Sequence, residues 1–257
     1  EIVSRDWSSD VCSSDLSMRT KTDADRVLGL GVDPEKVRVN GNIKFDVLVS
    51  GEDISPLENQ ESIWVVFGST RPGDEGVVME TIIKLSQEYP RLKFVIAPRH
   101  LERLREVKEL MVAYGIEFQL HSERLGSGNS RLVLLDRLGE LNKYYAKACL
   151  AFVGGGFNPR FGGQNIIEPA SYGLPVVFGK HMNNFEEEAR LLVESGGGIQ
   201  LNNPEELHGV LNQLLADQEE RQRLGKKAWE TVVKNRGAVN KTIELIKIGR
   251  ASCRESV

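Results

Sequence analysis

"SIWVVFGSTRPGDEGVVMETIIKLSQEYPRLKFVIAP", Ser62 to Pro98, decides the fold. Its ends, SIWVVFGS and LKFVIAP, are short apolar runs rich in β-branched and aromatic residues, with no polar alternation. The stretch between them, Asp74 to Tyr89, has a helical period and opens on two acids. A strand with no polar face is covered on both sides, and a strand–helix–strand unit of this length joins parallel neighbours. The alternation then repeats through helical Leu101 to Tyr114, the runs IEFQL and RLVLL, helical Leu138 to Lys147, and CLAFVGG. A helix from about Gly163 to Tyr172, LPVVFG, a helix near Asn184 to Glu194, GIQL and a helix from Pro204 to Ala216 complete the series. The expected fold is α/β, a doubly wound parallel sheet of ordinary single-core size. Glu219 to Ile246 is charged and helical, interrupted near Gly237.

Working outward, the flanks differ from this centre. TDADRVLGLG predicts a helix with a C-cap glycine, and KVRVNGNIKFD a strand leaving through a turn. SGEDISPLENQ is polar and aperiodic, as a linker is. Residues 17–50 therefore form the tail of an earlier domain, 51–60 a linker, and 61–247 the sheet domain with its C-terminal crossing helices. The outermost segments, 1–16 and 248–257, resemble the translation of sequencing-library adapters (DWSSDVCSSDL and IGRASCRE) and are set aside from fold reasoning. Of three cysteines, Cys12 and Cys253 fall in those flanks. Cys149, in ACLAFVGG, fits a buried small hydrophobe, so no disulfide framework or metal cluster is expected. The formal net charge is −4, and −2 without the flanks. That is too near neutrality for a broad nucleic-acid surface. No apolar run approaches the length of a membrane span.

In a doubly wound sheet, ligands bind beyond the carboxyl ends of the strands. Five strand ends carry special residues: Gly68-Ser69-Thr70-Arg71; Pro98-Arg99-His100; Asp136 with Leu138-Gly139-Glu140; the loop GGGFNPRFGGQNIIEP; and Gly179-Lys180-His181 with Asn183, Asn184 and Phe185. Ser69 and Thr70 serve equally well as helix caps. Arg99, directly after a buried run, is placed to meet an anion. His100 and His181 fit a supporting role better than a catalytic one.

The loop packs five glycines, Gly154, Gly155, Gly156, Gly162 and Gly163, into ten residues. Glycines let a ligand approach the backbone, and a helix opening after Gly163 would aim free N–H groups at a phosphate. Asn165 and Glu168, three apart in its first turn, would share a face. A carboxylate there suits paired sugar hydroxyls, so the loop is expected to grip a nucleotide, phosphate at the glycines and ribose at Glu168. Neither G-x-G-x-x-G nor G-x-x-x-x-G-K-[ST] is present, which disfavours a first-strand dinucleotide or ATP site.

FVGGGFNPRFGGQNIIEPASYGLPVVFG is similar to the nucleotide-sugar loop of two-domain (GT-B) glycosyltransferases. With VNGNIKFD, FGSTRPGDE, APRHLER, LLDRLGEL and GKHMNNFEE in order, Met18 to Ile246 resembles the C-terminal part of bacterial 3-deoxy-D-manno-octulosonic acid (Kdo) transferases. The family usually has Ser at Gly156, His at Gln164 and Thr-Met at Arg137-Leu138. The resemblance implies inverting, metal-free transfer of Kdo from CMP-Kdo to a lipid A precursor, with no cofactor. It implies a site on the cytoplasmic face of the inner membrane, reached through an N-terminal anchor, and no nucleic-acid partner. Arg99, Gly139, Glu140, Asn165 and Glu168 would contact CMP, and Ser69 and Thr70 would lie nearer the sugar. The donor-site candidates are thus Ser69, Thr70, Arg99, His100, Gly139, Glu140, Gly154, Gly155, Gly156, Gly163, Asn165 and Glu168. None is assigned as catalytic, because the family's general base lies near the start of the first domain; this chain by itself is expected not to transfer sugar. The alternatives are another GT-B enzyme acting on a UDP-sugar, as transferase or epimerase, or a nucleotide-sugar-binding fragment without chemistry.

Overall fold

The computed structural model describes residues 15–46, 64–123 and 130–255, with side chains up to Lys247. Most of the first flank, the 51–60 linker and the side chains of the second flank lie outside the described residues. The chain divides into two compact units, one made of residues up to Leu48 together with those from Val233 onward, the other of Val49–Val232.

In the first unit, β1 (Leu16–Met18) pairs in parallel with β2 (Val37–Val39), Leu16 opposite Val37. Between them runs α1 (Lys21–Leu28), capped by Thr20, whose hydroxyl accepts from the Asp23 N–H at 2.9 Å. The cap residue Gly29 stays right-handed (φ −63°), and the left-handed turn comes at Gly31 (φ 86°). After β2 the chain turns through Gly41 (φ 97°) into a 3-10 turn, Ile43–Phe45, that buries Phe45.

The second unit holds β3 (Trp64–Thr70), α2 (Asp74–Glu88), β4 (Lys93–Pro98), α3 (Leu104–Ala113), β5 (Gln119–Leu120), β6 (Leu132–Leu134) and α4 (Leu141–Tyr145). Then follow β7 (Ala148–Val153), α5 (Ile167–Ser171), β8 (Val176–Gly179), α6 (Glu186–Ser195), β9 (Gly198–Leu201), α7 (Glu206–Ala216) and α8 (Gln218–Lys234), which belongs to this unit up to Val232. All seven strands are parallel, in the order β5-β6-β4-β3-β7-β8-β9.

The lack of polar alternation in β3 has the expected cause. Val65 and Phe67 pack on one face with Val78, Met79, Ile82 and Leu85 of α2, Val107 and Met111 of α3, and four leucines of α7. Trp64 and Val66 pack on the other face with Tyr144, Tyr145 and Tyr172. Burying each of these large side chains contributes on the order of 1.5–3 kcal/mol. The chain builds outward from β3 to β4 and then returns across it to β7. That reversal leaves a crevice at the carboxyl ends of β3, β4 and β7, where this fold class binds ligands.

The last helix, α9 (Ala238–Glu255), departs from the expected 61–247 grouping, for it belongs to the first unit. Asp46 explains its place, its carboxylate accepting from the N–H groups of Gly237 (2.6 Å) and Val239 (2.8 Å) at the helix start. A carboxylate there satisfies otherwise unpaired donors and meets the positive end of the helix dipole. No helix among the described residues is long and apolar enough to cross a membrane.

Candidate functional site

The end of β3 is irregular. Gly68 pairs with Ala97 and Thr70 with Pro98, so Ser69 is an extra residue. Its φ of 52° makes it the one left-handed non-glycine among the described residues. A bulge of this kind re-aims side chains at a strand end. Ser69 thereby lines a cavity of about 180 Å³ together with Arg99, Leu138, Gly139, Asn142 and Glu168. Thr70 faces inward, fully buried. Its carbonyl accepts from the Arg99 N–H at 3.0 Å, and its hydroxyl has no partner among the described residues.

Glu168 is the acid of this cavity. Burial pushes its carboxyl upward, while a hydrogen bond from Asn142 and the charge of Arg99 pull it back. The Asn142 amide oxygen is buried and has no hydrogen-bond partner among the described residues, although the residue lines the cavity. The helix bearing Glu168 starts later than the sequence predicts, at Ile167 instead of about Gly163, and has five residues. Asn165 therefore lies outside it. Its side-chain oxygen accepts from the Ile167 N–H at 3.1 Å, a local turn that competes with helix. So short a helix has little dipole, and the phosphate cannot be assigned to its N-terminus.

The glycine loop is also built differently from the expected open grip. The Gly154 N–H donates to the Gly68 carbonyl (2.9 Å), the Gly155 N–H to Asp74 Oδ2 (2.7 Å) and the Gly163 N–H to the Gly155 carbonyl (3.0 Å). These three donors tie the loop to β3, to α2 and to itself. A Cβ on Gly154 would lie 2.5 Å from Asp74 Oδ2, and one on Gly156 would lie 2.8 Å from the Gly179 nitrogen. Gly156 also anchors the next loop, its carbonyl accepting from the His181 N–H at 2.9 Å. Glycine is required at Gly154 and Gly156 because neighbouring chain packs where a side chain would stand, and the N–H groups of Gly154, Gly155 and Gly163 already have acceptors within the protein.

Asp74 is the hub of this loop packing, a residue the sequence marks only as an acid opening a helix. One oxygen accepts from both Arg71 N–H (2.8 Å) and Gly155 N–H (2.7 Å), the latter 81 positions from Asp74, and so joins two loops distant in sequence. Burial raises its carboxyl to about 6, against the two N–H groups that favour the charge. Gln164 is a second residue missed, its side chain accepting from Arg99 Nε at 3.0 Å and so fixing the guanidinium. Glu140 turns away from the cavity toward Lys143 (2.7 Å) and His121 (3.4 Å), and the Lys143 contact holds it below the usual carboxylate range. His100 is exposed and accepts from Arg71 at 2.6 Å. Asp136 ties the end of β6 to Ser122. Burial opposes its charge, but hydrogen bonds from the Ser122 hydroxyl and N–H keep its carboxyl low. No group of three or more His, Cys, Asp or Glu among the described residues is placed to hold a metal.

No protein-family profile matches the sequence. The 3-deoxy-D-manno-octulosonic acid transferase of Haemophilus influenzae is 33% identical over 230 residues, which cover 86% of this chain and 54% of that protein. Its counterpart in Chlamydophila psittaci is 32% identical over 234 residues, covering 86% and 52%. The chain thus spans about half the length of the curated relatives it matches. Among solved structures, the C-terminal CMP-Kdo binding domain of WaaA from Acinetobacter baumannii superposes with a TM-score of 0.62 at 25% identity, over 67% of this chain and 90% of that one. The parallel sheet agrees with that likeness, and the chain belongs to the Kdo transferase family of GT-B glycosyltransferases.

Proposed function

We propose that the cavity beside β3, β4 and α5 binds the cytidylate part of CMP-Kdo, and that the protein transfers Kdo from it to a lipid A precursor. One observation carries this reading: a half-buried carboxylate, Glu168, held by Asn142 and lining the same cavity as Arg99. A carboxylate repels phosphate but accepts from two adjacent ribose hydroxyls, whereas a guanidinium suits phosphate. Leu138, 77% exposed at the rim, offers the base an apolar surface. Asn165 and Gly139 shape the ends of the same loops.

In the transfer step, negative charge develops on the phosphate of the leaving cytidylate. Arg99 is already oriented by Gln164, so it stabilises that charge with little reorganisation. The proton lost by the attacking hydroxyl goes to a base outside the residues named for the donor. The lipid acceptor, and a working place on the cytoplasmic face of the inner membrane, follow from family membership and form part of this proposal. Calorimetric titration with CMP, UDP and ADP tests it. CMP is expected to bind most tightly; a clear preference for UDP, or no binding of CMP, would overturn the assignment.

A further inference from the structure

Arg71 is the strand-end residue that the donor reading leaves without a role. Its side chain runs from the end of β3 over the glycine loop, with Cγ 3.4 Å from where a Cβ of Gly155 would stand. Its guanidinium carbon lies 5.1 Å from the centre of the Phe161 ring, and Nη1 donates to His100 Nε2 at 2.6 Å. Nε is buried and has no hydrogen-bond partner among the described residues. Arg99 reaches the same place from the next strand, where Gln164 both accepts from its Nε and flanks Gly155.

The charges here are gathered, not dispersed. Arg103 is held by Glu75 and Glu106, each at 2.7 Å. Among the described residues, neither Arg71 nor Arg99 makes such a pair. Burial lowers the pKa of Arg71, and the like charges of Arg99 and Arg103 lower it further, against a smaller opposing pull from Asp74. Asp74 gives one oxygen to two backbone N–H groups. Two neighbouring guanidiniums with no direct ion pair among the described residues, one with an orphaned buried N–H, form an arrangement that becomes favourable when a further anion arrives.

We propose that Arg71 is a specificity-determining residue that takes the carboxylate of the donor sugar, while Arg99 takes the phosphodiester. The inference rests on the cytidylate reading of the cavity. A ulosonic acid joined to a nucleotide carries two negative charges, one on the phosphodiester and one on the carboxylate of the carbon that bears it. Two cations at successive strand ends match that number of charges, and the planar guanidinium suits a carboxylate. A neutral sugar would leave Arg71 unmatched among like charges, so the same residue selects against it.

The test compares CMP-Kdo with CMP methyl ester, which has the same phosphodiester and no sugar carboxylate, on the whole chain by calorimetry. The parent should bind CMP-Kdo about tenfold more tightly. Arg71→Gln should abolish that difference and leave the methyl ester within about twofold, while Arg71→Lys should retain part of it. Arg99→Gln should weaken both ligands alike. Equal weakening of both ligands by Arg71→Gln, or of neither, overturns the proposal, as does a parent that does not discriminate. A parent that binds neither ligand overturns the cytidylate reading itself, a result distinct from loss of discrimination. Thermal unfolding of each variant confirms that it folds, and the charge-retaining Lys variant carries the test if Gln does not.

Discussion

Replacing Asp74 by asparagine should stabilise the protein at pH 8 and leave it nearly unchanged at pH 4. Folding raises this carboxyl from 3.8 to about 6, because burial outweighs the two N–H groups it accepts from. Between those values the native chain holds a proton that the unfolded chain releases. The contribution of the group to stability is therefore full below about pH 4 and lost as pH rises through about 6. The displacement corresponds to about 3 kcal/mol, at 1.36 kcal/mol per tenfold. Asparagine is neutral and can present its amide oxygen to Arg71 N–H and Gly155 N–H, so it avoids the cost of a buried charge. Alanine instead leaves both donors without an acceptor, costing about 2–6 kcal/mol at every pH. Denaturant midpoints of the parent, Asp74→Asn and Asp74→Ala from pH 4 to 8 separate the cases, because titrations elsewhere cancel in the differences. A difference between parent and Asn variant that stays flat across this range would refute the reasoning, as would an Asn variant as unstable as the Ala variant.

Three further outcomes are expected. Glu168→Ala should weaken CMP binding by about 1–3 kcal/mol in calorimetry, the usual loss for a charge-assisted hydrogen bond. Arg103→Ala should cost about 3–5 kcal/mol in denaturant unfolding, because it strands Glu75, whose side chain is 3% exposed; adding Glu75→Gln should recover part of that loss. Gly179→Ala would drive a Cβ into the Gly156 carbonyl group. Its thermal midpoint should fall by at least about 3 °C and its CMP affinity should drop with it, since the glycine loop must shift.

The sheet is legible in the sequence because both its faces are covered. Runs such as WVVF, FVIA and LAFV need no tertiary information to be read as buried strands. Arg99 and Glu168 stand out in the sequence as charges beside a strand's carboxyl end and after the glycine loop, but that they line one cavity is visible only in the fold. The loop's internal wiring is not legible. Gly154, Gly156 and Gly163 look like ligand-facing glycines until Asp74, Gly179 and Met182 are brought against them, and those contacts exist only in three dimensions. The late start of α5 was hidden because an Asn followed by apolar residues fits a first helical turn as well as the local turn that Asn165 makes. The roles of Asn142 and Gln164 are not legible, because each works through a partner far along the chain.

Ser69 has a bearing on how this protein would behave under artificial selection. A serine at φ 52° is higher in energy than a glycine by about 1 kcal/mol. A library screened for heat resistance alone would accordingly converge on glycine at this position, with asparagine next. Screened for donor binding, the same library should retain the hydroxyl, because Ser69 lines the cavity. The two screens would pull one codon in opposite directions, and the size of that divergence measures how much fold stability the chain forgoes to place a hydroxyl there.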